Sequence, residues 1–266
     1  MLSASLTRAE EVAREATIVA VEGTVTIGLP SESSSRPAAV GSVIPAGSVI
    51  HTSTASQVTL KLFDSTLAVV RAETDVTIEK LSVNTDGKEV SKENALLNLR
   101  VGSIISTLDP AKKSINNYGI RTPRGIAAAR GTVFAVSVSF DKKVCTNATI
   151  SGTVTFYTDK GEVSIPFGKF VSVGADSGDD KNGQLDHLVD SNPALASELI
   201  AAIKSISDGI KAGTIPNSPG LLAALHKTVT AIDPNAPNPV DLPRGQKGRI
   251  LPPLDDIPPI VSPSKP

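Results

Sequence analysis

The 266-residue chain reads as a mainly β protein, and three observations carry that reading. Apolar residues recur with a period of two through short segments rich in Thr, Val and Ile, from Thr17 to Val173. Turn-forming pairs such as Pro45-Ala46-Gly47, Asp64-Ser65, Asp86-Gly87 and Lys160-Gly161 punctuate them, at the spacing of a multi-stranded antiparallel sandwich, a roll or a short solenoid. Helical spacing and proline enrichment follow only after the last of these segments, which predicts a helical hairpin and then an extended tail.

Five segments follow from this pattern. In 1–16, Thr7 and Glu10 fit a helix-start box and predict a short helix over 7–16. In 17–174, TIVAVEGTVTIGL (17–29) reads as one strand that Gly23 kinks or bulges. Further strands are expected at 40–44, 49–52, 57–63, 67–71, 76–81, 96–101, 104–108, 118–121, 132–140, 144–150, 153–158, 162–166 and 169–174. Sequential antiparallel pairing is the default. Within QVTLKLF (57–63), Val58, Leu60 and Leu62 share one face, and Gln57, Thr59 and Lys61 the other, so a sheet with one wet side is expected.

Residues 175–190 are a polar linker loop by composition. In 191–233, Leu195, Leu199, Ile203, Ile206 and Ile210 keep helical spacing behind Ser191, Asn192 and Pro193. A second helix begins at Ser218-Pro219 and stops at Asp233-Pro234, which completes the hairpin. Each helix has one apolar stripe that must be covered. The last segment, 234–266, holds ten of the 19 prolines and favours extended polyproline II over a packed core. Ile250, Leu251, Leu254, Ile257, Ile260 and Val261 punctuate this arm and are candidates for docking on a partner.

Composition excludes several functions. A net charge of -1, from 26 basic and 27 acidic residues mixed along the chain, gives no field that would gather nucleic acid or anionic lipid. No stretch approaches the roughly 20 apolar residues of a spanning helix, so no membrane insertion is expected. The opening MLSASLTRAEEVAREAT lacks the basic head and apolar run of an export signal. Cys145 is the sole cysteine and has no internal partner; between Val144 and Thr146 it reads as a small strand residue.

Three stretches carry a family resemblance: GSVIPAGSVIHTSTASQVTLKLFDSTLAVV (41–70), NLRVGSIIST (98–107) and the segment ending RGTVFAV (130–136). Together they resemble the FecR-domain family over about Ile18 to Gly174. Ser65 departs from it, since the family usually places Gly in the turn after Asp64, and positive φ would strain a serine there. The resemblance implies a FecR-like β-domain from the extracytoplasmic side of a bacterium, with no enzyme activity and no cofactor. The best-known members are periplasmic and relay the state of an iron-siderophore receptor to a sigma factor through a membrane helix. The stretch before Ile18 is neither long nor apolar enough for a sigma-binding segment plus membrane helix, so that relay role is not expected to carry over. The expected function is therefore a non-catalytic module that binds another protein, or copies of itself, through sheet edges and the C-terminal arm. The alternative is a sensor domain working with a separate membrane partner.

Few constellations suggest chemistry. GDDKNGQLDHLV (178–189) partly fits a calcium loop through Asp180, Asn182 and Asp186, but Gly178 and Val189 stand where an acidic ligand and the bidentate Glu belong. His51, His187 and His226 lack metal-ligand spacing. No nucleophile elbow and no phosphate loop is present. Arg121, Arg124 and Arg130 fall within ten residues and suit a carboxylate-bearing partner. Phe63, Phe134, Phe140 and Phe156 fall in expected strands as core residues, which leaves few aromatic platforms. Asn147-Ala148-Thr149 matches a glycosylation acceptor by chance.

Overall fold

A computed structural model describes residues 10–141, 143–174, 181–184 and 193–211. Its strands in chain order are β1 (Glu10–Ala13), β2 (Glu15–Glu22), β3 (Val25–Gly28), β4 (Arg36–Pro37), β5 (Val43–Pro45), β6 (Val49–Thr52), β7 (Gln57–Phe63), β8 (Thr66–Val70) and β9 (Asp75–Thr85). Then come β10 (Val90–Leu108), a 3-10 turn (Pro110–Lys112), β11 (Asn116–Thr122), β12 (Gly125–Ala129), β13 (Val133–Val138) and β14 (Cys145–Ser151). The series closes with β15 (Thr153–Thr158), β16 (Gly161–Pro166), β17 (Lys169–Val173), β18 (Lys181–Gln184) and one helix, α1 (Pro193–Lys211).

The ladders form two open sheets. The first runs β4-β3-β6-β9-β10-β11-β12-β15-β16, with β1 beside β6 on the same flank of β9. The second runs β5-β2-β7-β8-β10-β13-β14-β17-β18. No described ladder joins the ends of either sheet, so neither closes into a barrel. The 19-residue β10 belongs to both: its first half lies between β9 and β11, its second between β8 and β13.

Gly102 is the crossing point. Its φ is +91°, and a Cβ there would stand 2.2 Å from Thr74 Oγ1 and 2.5 Å from Thr74 Cα. Only glycine lets the strand turn so close to the β8–β9 connection. The Ser103 amide then donates to Thr74 Oγ1 at 2.9 Å, fixing the outgoing half.

The inner faces of the sheets meet in one core. Ile18, Leu60, Val70, Ile104, Phe134 and Val136 come from the second sheet, and Ile27, Ile50, Ile78, Leu97, Ile120 and Phe156 from the first. Tyr118 and Phe134 pack edge to face at 5.9 Å between ring centres. A second cluster lies on the outer face of the second sheet, where Leu195, Leu199, Ala202 and Ile203 of α1 cover Val69, Ile105, Ala135, Ala148, Ile150 and Phe170. The layers are therefore sheet, sheet and helix, which is a mainly β fold with its helix after the β region, as expected.

Several expectations need correction. Residues 10–13 form a strand paired with β9, because Glu11 and Val12 gain ladder partners that an isolated short helix lacks. TIVAVEGTVTIGL is two strands in different sheets, with a turn at Gly23 (φ +71°). Pairing is not purely sequential or antiparallel, since β11 returns parallel to β10 after the 3-10 turn. The polar face of β7 is wet only at Lys61: Gln57 and Thr59 are buried, on the face that α1 covers. Phe140 is 73% exposed, in a turn beyond the end of β13. The strand β18 falls inside 175–190, and β12 was not anticipated, because its Gly-Ile-Ala-Ala-Ala sequence has low strand propensity and is held by two neighbours. The first helix of the expected hairpin runs Pro193–Lys211, opened by Pro193 as expected, whereas its partner at 218–232 and the proline arm lie outside the described residues.

Candidate binding surfaces

The arginine-bearing hairpin β11–β12 holds its three cations apart. Arg121 Nε donates to Glu79 Oε2 at 2.9 Å, and Asn98 donates to the other oxygen of the same carboxylate at 2.7 Å. Arg124, in the hairpin turn, donates from Nε to the Lys143 carbonyl at 3.1 Å. Arg130 lies beyond the opposite end of β12, roughly 20 Å of strand from Arg124, and has no carboxylate partner among the described residues. Among the described residues, Arg130 thus has neither a carboxylate nor a carbonyl partner, whereas Arg121 and Arg124 are engaged.

Arg130 borders a cleft of about 660 Å³ on the outer face of the first sheet, with Asn117, Ala128, Thr153, Thr155 and Tyr157. A row of amides crosses the strands to reach it. Asn94 Nδ2 donates to Asn84 Oδ1 at 2.7 Å, and Asn117 Nδ2 donates to Asn94 Oδ1 at 2.8 Å. A second cleft, of about 610 Å³, lies between Asp64, Ser65, Glu93, Asp109 and Lys112. There the Ser65 hydroxyl donates to Glu93 and meets Asn116 at 3.0 Å. Ser65 avoids positive φ, so its turn carries no strain, and its side chain ties the β7–β8 turn to β10 and β11.

A polar clasp seats the helix. Arg71 Nη1 donates to Gln57 Oε1, Gln57 Nε2 donates to Ser205 Oγ at 3.4 Å, and Ser103 Oγ donates to Glu198. Burial pushes the Glu198 carboxyl up, against the Ser103 hydrogen bond and the nearby Arg71 charge. Burial likewise pulls the Arg71 guanidinium down. Sequence reasoning missed this set because its members lie up to 148 positions apart.

Other singled-out residues resolve individually. Cys145 is buried, and desolvation pushes its thiol up to about 11, which leaves it a neutral packing group at physiological pH. His51 Nδ1 lies 2.9 Å from Asp75 Oδ1, with Arg100 also near that carboxylate. Asn147 is fully buried and so closed to glycosylation in the folded chain. Of the calcium-loop positions, Asn182 lies in β18 opposite Val171, while Asp180 and Asp186 are outside the described residues. Gly183 sits against the Phe170 ring, where a Cβ would approach Cε1 to 2.4 Å, so this stretch is ladder rather than loop. Among the described residues, no three His, Cys, Asp or Glu side chains gather to hold a metal, and no helix is long and apolar enough to cross a membrane. His187, His226, Ile250, Leu251, Leu254, Ile257 and Ile260 are outside the described residues.

The sheet edges differ in length. The two-residue β4 and the three-residue β5 are blunt ends. The six-residue β16 pairs only with β15 among the described strands, leaving one row of backbone groups without a ladder.

Comparison with known proteins places this scaffold. Two crystal structures of a "putative anti-sigma factor" from Parabacteroides distasonis ATCC 8503, at 2.50 Å and 1.65 Å, are 14% and 13% identical, each with a TM-score of 0.42. Each alignment covers 51% of this chain and 59% of the other, so this chain spans less than two thirds of their length. No curated protein matches. The family model described as FecR protein matches residues 48–155, from the start of β6 into β15. Over residues 48–155 this chain is therefore similar to the FecR family.

Proposed function

We propose that the chain is a non-catalytic, extracytoplasmic bacterial module that binds another protein or a second copy of itself, with the β16 edge as its principal contact. One observation carries this reading: the six-residue β16 ends its sheet with no further described neighbour. An extended segment gains main-chain hydrogen bonds at such an edge without any chemistry in the side chains. Exposed Phe167, in the turn after β16, adds apolar surface at one end of that edge. Glu162 and Pro166 limit unspecific pairing there. A second copy is the simplest occupant, since two β16 strands related by a two-fold axis would each complete the other. The proline-rich arm at 234–266, with Ile250, Leu251, Leu254, Ile257 and Ile260, is a further contact.

The FecR match supports a second reading, a sensor domain that acts with a separate membrane partner. Analytical ultracentrifugation of the full chain, Ser164→Lys and a chain lacking 234–266 tests the first. Concentration-dependent dimers that Ser164→Lys weakens at least tenfold support edge pairing. A monomer in every form, with no crosslink to an envelope protein from a photoreactive residue at 164, refutes it. A crosslink to a membrane regulator instead favours the sensor reading.

A further inference from the structure

The geometry points to a ligand site in the cleft on the outer face of the first sheet, with an acidic oligosaccharide, a sugar chain bearing carboxylates, as the class of molecule it takes. This goes beyond protein pairing at β16, and it is carried by different observations.

The cleft of about 660 Å³ falls within the size range of small-ligand sites. Its floor is bare: Ala128 and Thr155 stand opposite each other on β12 and β15 and offer only a methyl group and a short hydroxyl side chain. Three functional groups of different kinds rise around that floor. Arg130 supplies a guanidinium that no described carboxylate neutralises, so an anion entering the cleft meets a donor fork not already engaged. Asn117 donates one amide hydrogen to Asn94, which itself donates to Asn84, and this orients the Asn117 amide with its Oδ1 left to act as an acceptor. Such a chain of amides polarises its last oxygen and fixes its orientation before any ligand arrives. Tyr157, one of eight aromatic residues in the chain, is 48% exposed at the far side and presents a ring.

An acceptor set for hydroxyls, an unpaired cation and a ring describe one ligand chemistry: polyhydroxylated, flat enough to lie on a tyrosine, and anionic. A peptide fits less well. The cleft lies on a sheet face, where the backbone groups of β11, β12 and β15 are already paired on both sides, so no main-chain ladder can form.

The test is calorimetric titration of the full chain with tetragalacturonate, its methyl-esterified form and tetraglutamate. Expected is saturable binding of tetragalacturonate. Loss of the carboxylates in the ester weakens it by about tenfold or more, the size of one charge-assisted contact. Arg130→Ala weakens it comparably, Tyr157→Ala weakens both sugars, and Arg121→Ala, whose guanidinium is held by Glu79, changes nothing. No heat or saturation with tetragalacturonate at millimolar concentration overturns the proposal, as does affinity unchanged in Arg130→Ala. Equal, Arg130-dependent binding of tetraglutamate overturns the sugar assignment. Sedimentation of Arg130→Ala is expected to match wild type, so failure of this site and failure of β16 pairing are read separately.

Discussion

Replacing Gly102 by alanine tests whether the crossing of β10 between sheets depends on the missing side chain. Two costs add. The backbone stands at φ +91°, outside the regions an L-residue prefers, which costs about 1–3 kcal/mol. The new Cβ also meets Thr74 Oγ1 at 2.2 Å, Thr74 Cα at 2.5 Å and Glu73 O at 2.7 Å. Two of those atoms are backbone, so the β8–β9 connection has to move, which costs about 1–3 kcal/mol as overpacking. Disturbing the Thr74–Ser103 hydrogen bond adds about 1 kcal/mol. The expected loss is about 3–7 kcal/mol, a large share of the roughly 5–15 kcal/mol that holds a domain together. Gly87 is the control: its φ is +89°, yet a Cβ there meets nothing within 4 Å. Gly87→Ala therefore isolates the backbone cost. Urea unfolding followed by far-UV circular dichroism measures both, since the chain has no tryptophan. Equal losses in the two variants would refute the steric argument, and a loss under about 1 kcal/mol at Gly102 would refute the backbone argument as well.

Three further outcomes are expected. Leu199→Ala, at a fully buried helix position, should cost about 2–5 kcal/mol, with hydrogen exchange rising in α1 before the strands of the inter-sheet core. Burial raises the Glu198 carboxyl above the usual carboxylate range, so the folded chain holds that proton more tightly than the unfolded one. Its contribution is then fully present below the unfolded value and lost as pH rises through the raised one. Glu198→Gln should flatten stability against pH in that window, and an unchanged profile would remove Glu198 from the account. Cys145 should react with a thiol reagent at neutral pH only at the rate of global unfolding; fast modification of the folded chain would contradict its burial.

The period-two segments made the strands legible, because side chains facing a shared core must alternate. QVTLKLF and VFAV show it directly, with Val58, Leu60, Leu62, Phe134 and Val136 all in the inter-sheet core. What periodicity does not carry is which strand meets which. Leu96 to Leu108 looked like two strands because a single glycine, Gly102, changes the sheet without breaking the chain's extended course. β12 escaped notice because alanines contribute little propensity of their own and are held by ladders on both sides. The wet face assigned to Thr59 was wrong because its cover, α1, is more than a hundred positions away. The arginine grouping was legible as sequence, but a hairpin sends neighbours in the chain to opposite ends of a strand. The Asn84–Asn94–Asn117 row had no linear signal at all, since it exists only through the register of three strands.

The double membership of β10 also sets an order of events during synthesis. Its early neighbours, β8 and β9, are made before it, but β11 and β13 arrive later, with the last of them ending at Val138. Until roughly half the chain is available, both flanks of this strand cannot be occupied, and a raw hydrogen-bonding border faces whatever surrounds the nascent polypeptide. Fragments cut between Leu108 and Val133 should therefore clump rather than fold.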